Sequence, residues 1–92
     1  MQEAIFDFDR IGTTADFYQI AVQQLNLPEY FGNNLDALYD ALTGMIGLPL
    51  LVRFINLSMG QLEKFDAIIA VFEEAAAALD EQLVFEYYLK KP

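Results

Sequence analysis

Hydrophobic and polar positions along this chain follow two rhythms. Over Ala4–Asp9 the period is two, with Ala4, Phe6 and Phe8 on one face and Ile5, Asp7 and Asp9 on the other, which predicts a half-buried strand. From Thr13 the period becomes helical. Thr13 can cap a helix with Asp16 three residues on, and Phe17, Ile20, Ala21 and Leu25 form its apolar stripe, with Pro28 as the expected stop. Leu27 to Asn33 reads as a loop holding the adjacent aromatics Tyr30 and Phe31. Asn33 or Asn34 can cap a second helix, with Leu35, Leu38, Tyr39 and Leu42 as its stripe and Gly44 as its stop. Pro49 to Leu57 is apolar except for Arg53 and Asn56, as expected of a strand covered on both faces. Ser58 caps a short turn or helix at Met59 to Lys64. Phe65, Ile68, Ile69, Phe72, Ala75, Ala76 and Leu79 then keep helical spacing, and Leu83 to Leu89 reads as the last strand.

Strands separated by helical segments need crossover connections, so the predicted class is α/β, a small parallel sheet with helices packed around it. A chain of 92 residues has room for a single domain, residues 1–92.

Charge changes what this fold can be for. Fourteen Asp and Glu against five Lys and Arg give a net charge of −9, while 55% of the residues are hydrophobic, enough to fold rather than remain a disordered acidic tail. Five scattered cations cannot make a basic face, so direct nucleic-acid binding is not expected. With neither cysteine nor histidine, disulfides, thiolate zinc sites, cysteine nucleophiles and the commonest general base are excluded. No basic flank precedes an apolar run at the amino terminus, and no stretch is long enough to span a bilayer. A soluble, cytoplasmic chain with no membrane contact and no cofactor is expected. The acids are also segregated. Ile11 to Val52 holds four acids and no base, and Phe65 to Leu89 holds six acids and no base, so most carboxylates lack a helical i,i+4 cation. The natural partner is positively charged.

Two constellations could carry chemistry. Asp7-Phe8-Asp9 at a strand end has the Asp-x-Asp spacing with which haloacid-dehalogenase-like phosphatases place a nucleophile and a general acid. Arg10 and Ile11 interrupt that resemblance, and the remaining motifs do not fit in 92 residues, so solvated strand-end carboxylates are the reading adopted. A divalent cation held by Asp7, Asp9 and Asp36 is compatible with oxygen ligands, but scattered carboxylates are ordinarily solvated surface, and no metal site is expected. The second constellation is on the second helix. Asp36 and Asp40 are i and i+4, hence on one exposed face about 5–6 Å apart at Cβ, where like charges repel by a few tenths of a kcal/mol. Asp40 also lies towards the negative end of the helix dipole. A helix selected for stability alone would place Lys there. Tyr30, Phe31 and Gly32 before the helix and Thr43, Gly44 and Met45 after it rim the two carboxylates, as at the centre of an interface.

The segment Leu27-Pro-Glu-Tyr-Phe-Gly-Asn-Asn-Leu-Asp-Ala-Leu-Tyr-Asp-Ala-Leu-Thr-Gly44, followed by Pro49-Leu50, resembles barstar-type protein inhibitors of the ribonuclease barnase. So do the element order and Val71-Phe72-Glu73-Glu74-Ala75. The resemblance implies a three-stranded parallel sheet, no catalysis, and a helix at Asn34–Thr43 that enters the active site of a small basic ribonuclease. By position it places partner-binding residues at Tyr30, Gly32, Asn34, Asp36, Asp40, Thr43 and Glu74, with Tyr39 and Met45 where the family has tryptophans. Gly47 and Ala78 replace family acids, and both family cysteines are absent. Asp40 would stand where a substrate phosphate lies. The chain is then expected to be monomeric when free; the alternative is an acidic interaction module for a basic partner that is not a nuclease.

Overall fold

The computed structural model describes residues 1–28 and 32–91. Its elements run β1 (Gln2–Asp7), α1 (Thr14–Gln24), α2 (Leu35–Gly44), β2 (Leu50–Leu57), α3 (Met59–Lys64), α4 (Asp66–Leu79), a 3-10 turn (Asp80–Gln82) and β3 (Leu83–Leu89). The strands form one parallel sheet in the order β1-β2-β3. Ala4 pairs with Val52 and Val52 with Phe85, so the inward positions of the three strands lie in register.

Successive right-handed crossovers in a monotonic strand order bring all the helices to the same side of the sheet. Burial agrees. Ala4, Phe6, Leu50, Val52, Phe54 and Leu83 are sealed beneath α1, α2 and α4, joined by Phe8 just after β1, whereas Leu51, Arg53, Ile55, Val84 and Glu86 of the opposite face are only half-covered. The expectation that β2 is covered on both faces is therefore corrected. Its outer face is tied by charge instead, Arg53 standing 3.7 Å from both Glu3 and Glu86.

The sealed face is a cluster of phenylalanines. Phe54 at its centre lies 4.9 Å from Phe8, 5.1 Å from Phe72 and 5.2 Å from Phe6, measured between ring centroids, and Phe6 stacks on Phe17 at 5.1 Å. Tilted and edge-on contacts of this kind add to the area term of burial.

Capping explains where the helices begin. Thr13 and Asp16 form a reciprocal capping box, Ser58 and Gln61 form a second, and Asn34 caps α2. The end of α1 differs from expectation, whereas α2 ends at Gly44 as expected. α1 stops at Gln24, before Pro28, where Asn26 adopts a left-handed φ of 54°, a conformation Asn tolerates. Gly44 is the last residue of α2 and does not take a positive φ; the Met45 and Ile46 N–H groups both bond the Ala41 carbonyl. The Leu48–Pro49 peptide is cis.

Long-range polar ties fix the β1–α1 loop. Gln61 Nε2 donates to the carbonyls of Phe8 and Ile11, both at 2.8 Å, and Lys64 Nζ donates to the Gly12 carbonyl. Among the described residues no helix is long and apolar enough to cross a membrane.

Candidate functional site

α2 and α4 lie side by side on the sheet, anchored by Leu38, Ala41 and Leu42 from one and Ile68, Phe72 and Ala75 from the other. Their outer faces leave a shallow concavity of about 480 Å³, lined by Leu35, Asp36, Tyr39, Asp40, Val71 and Glu74. Asp36, Asp40 and Glu74 are all exposed, Tyr39 and Val71 are half-buried, and none of the lining residues is basic. Three carboxylates thus surround an apolar floor. Such a hollow suits a cation carried on an aliphatic stem, because the stem can lie on apolar surface while the head meets the acids.

Leu35 was expected in the buried stripe of α2 and is instead 39% exposed, on the rim of this concavity; Ala41 takes the buried place. Val71 is an addition that sequence reasoning missed. Its i,i+3 spacing from Glu74 puts the two on one face of α4, which was a readable signal.

The amino-terminal end of α2 is built by Asn34. Its Oδ1 accepts the Ala37 N–H at 2.8 Å, and its Nδ2 donates to the Gly32 carbonyl at 3.1 Å. Gly32 fits tightly against this cap: a Cβ there would lie 3.1 Å from Asn34 Nδ2 and 3.4 Å from the Ala37 methyl. Both residues are exposed. Further along α2, the Thr43 hydroxyl donates to the Tyr39 carbonyl at 2.8 Å, one turn back, a bond within the helix.

Not every predicted site residue converges. Met45, 57% exposed, lines a separate hollow with Gln2, Gln24, Ile46 and Gly47 beyond the end of α2. Glu73, adjacent to Glu74, faces a different groove beside Phe85 and Tyr87. Tyr30 and Phe31 lie outside the described residues.

The Asp-x-Asp segment has structural work. Asp7 Oδ1 accepts the Asn56 amide and the Asp9 N–H, both at 3.0 Å, and Asp9 pairs with Lys90 at 2.6 Å. The Asn56 bond, helped by the Asp9 N–H, holds the Asp7 carboxyl below its ordinary pKa. Asp16 is likewise held low, by the Gly12 and Thr13 N–H groups. Asp36 is not gathered with Asp7 and Asp9, and among the described residues no cluster of acids is arranged to hold a metal ion.

The family model described as Barstar (barnase inhibitor) matches residues 1–90. The chain belongs to the barstar family. Among its relatives is a protein of Bacillus subtilis (strain 168) named "Putative ribonuclease inhibitor YrdF", 35% identical over 81 residues that cover 83% of this chain and 84% of that one. The three-stranded parallel sheet is as the resemblance to the barstar family implied.

Proposed function

We propose that this chain is an inhibitor of a small basic ribonuclease of the barnase type, acting in the cytoplasm as a single copy and by occlusion rather than by catalysis. The observation that carries this reading is the convergence of Asp36 and Asp40 on α2 with Glu74 on α4 around one concavity that contains no base.

A ribonuclease active site must hold the phosphodiester with cationic side chains. A carboxylate offers such cations the same paired oxygen acceptors as a phosphate, and an Arg can engage it through two parallel hydrogen bonds. Asp40 is the central stand-in for phosphate, one helical turn beyond Asp36 and facing the same hollow. Glu74 supplies a third acceptor from another element, so an arginine entering between the two helices meets carboxylates from both sides. Leu35, Tyr39 and Val71 provide the floor for its stem. Gly32 and Asn34 shape the approach at the start of α2, Thr43 stands near its far end with Met45 beyond it on a separate hollow, and Tyr30 is assigned to the approach by the family resemblance alone.

Inhibition assays against a panel of small microbial ribonucleases, each run with the natural chain and with Asp40→Ala, test the proposal. At least one enzyme should be inhibited stoichiometrically by the natural chain and far more weakly by the variant. Inhibition of none, with a basic non-nuclease captured instead through α2, would replace this reading with that of an acidic interaction module.

A further inference from the structure

β3 has a single strand neighbour, because the order β1-β2-β3 places it at an edge of the sheet. Its Lys90 end shows which backbone groups remain free. The Lys90 N–H bonds the Leu57 carbonyl of β2, and backbone groups of alternate residues along a strand point to opposite sides. Val84, Glu86 and Tyr88 therefore face β2 with their backbone groups, and those of Phe85, Tyr87 and Leu89 face outward. Among the described residues no hydrogen bond reaches these outward groups. The opposite edge is treated differently: Gln24 of α1 accepts the Ile5 N–H of β1 at 3.1 Å.

A groove of about 360 Å³ runs beside this free edge, lined by Glu73 and Ala76 of α4 and by Phe85, Glu86, Tyr87 and Tyr88 of β3. Its two ionic side chains are both acidic; Glu86 is shared with Arg53 and accepts the Tyr88 hydroxyl, whereas Glu73 has no partner among the described residues. Tyr87, Tyr88 and Leu89 are 42%, 51% and 49% exposed. Edge strands are ordinarily guarded by charged side chains, prolines or bulges; Leu83–Leu89 contains no lysine or proline, its one charge is the acid Glu86, and the irregularity of its ladder falls on the β2 side between Phe54 and Leu57.

We propose that the β3 edge is a docking surface separate from the α2 face, which takes an extended cationic segment of a partner protein as a fourth strand. Backbone hydrogen bonds to Phe85, Tyr87 and Leu89 supply the attachment, and alternate side chains supply selectivity. Apolar side chains of the segment lie on Phe85 and Tyr87, while a cation reaches the unpaired Glu73 beside them. A second copy of this chain is the poorer occupant. Each copy has a net charge of −9 and would bring its own Glu73 and Glu86 to the seam, where like charges oppose pairing.

The test is a titration of the isotopically labelled full chain with a capped hexapeptide of alternating Lys and Val, followed by amide NMR and hydrogen exchange. The expected result is saturable shifts and slowed exchange at Phe85, Tyr87 and Leu89. Affinity should fall about tenfold or more in Glu73→Lys, a loss of about 1.4 kcal/mol or more, and stay unchanged in Asp40→Ala. Glu73 is exposed and outside the α2 concavity, so Glu73→Lys keeps both the fold and the ribonuclease inhibition. Tyr87→Pro, which removes one outward N–H, should abolish the protection. Shifts confined to α2, equal affinity of the Glu73→Lys variant, or β3 protection that grows with protein concentration without peptide would each overturn the proposal. Inhibition is read separately, so its failure and that of the edge proposal are distinguishable.

Discussion

Asp40 of α2 and Glu74 of α4 line the same concavity, whereas Glu73, one residue before Glu74, turns away towards Phe85 on the other side of α4. Two neighbouring glutamates of like exposure thus serve different surfaces. Asp40→Ala should therefore weaken ribonuclease binding much more than Glu73→Ala. Truncating the centre of such an interface costs on the order of 4–8 kcal/mol, a range whose upper end belongs to barstar itself. Titration calorimetry on both variants checks the ranking, and equal losses would sink the assignment of Asp40 as the anchor.

Association with a basic ribonuclease should slow as salt is added. The α2–α4 concavity is acidic and solvent-exposed, so its attraction acts at a distance and is screened over about 8–10 Å at ordinary ionic strength. Stopped-flow association rates from low to high salt measure this. A rate indifferent to ionic strength would mean docking elsewhere.

Asn34→Ala should destabilise the chain by about 1 kcal/mol through loss of the α2 cap, and Asn34→Ser should recover most of that stability. Because Asn34 also holds the Gly32 carbonyl, affinity is expected to fall in both variants, with stability falling only in the first. Urea unfolding alongside the inhibition assay separates the two effects.

Phe54 touches rings from β1, α4 and β3. Phe54→Ala removes the ring that joins these elements, and a loss of about 3–5 kcal/mol is expected from a fully buried phenylalanine. The urea midpoint should drop while the denaturant slope holds, since the same surface is exposed on unfolding.

Asp7 links stability to acidity. Its folded pKa lies below 3.8, chiefly through the Asn56 hydrogen bond. A group held low in the folded state contributes stability above its unfolded pKa, and that contribution is lost as pH falls through the folded value. Asn56→Gly removes the donor while accommodating the left-handed φ of 60° at that position. The Asp7 carboxyl pKa, followed by carbon-13 NMR, should rise towards 3.8, and the contribution should disappear at higher pH than in the natural chain. An unmoved pKa would refute the Asn56 link.

Much of the fold was legible because local rules and global packing agreed. Thr13 with Asp16 and the cap at Asn34 mark helix starts by side-chain chemistry that acts within one turn. Ala4, Phe6 and Phe8 mark the buried face by a period no helix shares. Features set by distant packing were not legible. Leu35 matches the apolar period of α2, but α4 packs one step round the helix, so Ala41 is buried and Leu35 borders the acids. Arg53 interrupts an apolar strand because its outer face is left without helices and flanked by Glu3 and Glu86. Pro28 is a strong stop signal that went unused, since α1 ended at Gln24 ahead of a left-handed Asn26, whereas α2 does end at Gly44, closed by the paired bonds to the Ala41 carbonyl. At the site, the Asp36–Asp40 pair followed from helix geometry, whereas its meeting with Val71 and Glu74 depends on how α2 and α4 lie together.

The strand order has a kinetic consequence. β1 and β3 each pair only with β2, and every pairing in the sheet is parallel, so no adjacent strands can zip together from a tight turn. Each pairing must close a loop that includes at least one helix before any ladder bond forms, and such non-local contacts slow folding compared with a helical bundle of similar size. Until β2 is in place neither edge strand has a template. A fragment ending before Leu50 would hold β1, α1 and α2 without the strand that β1 pairs with, and the α2–α4 concavity forms only after α4, which follows the middle strand, has been made.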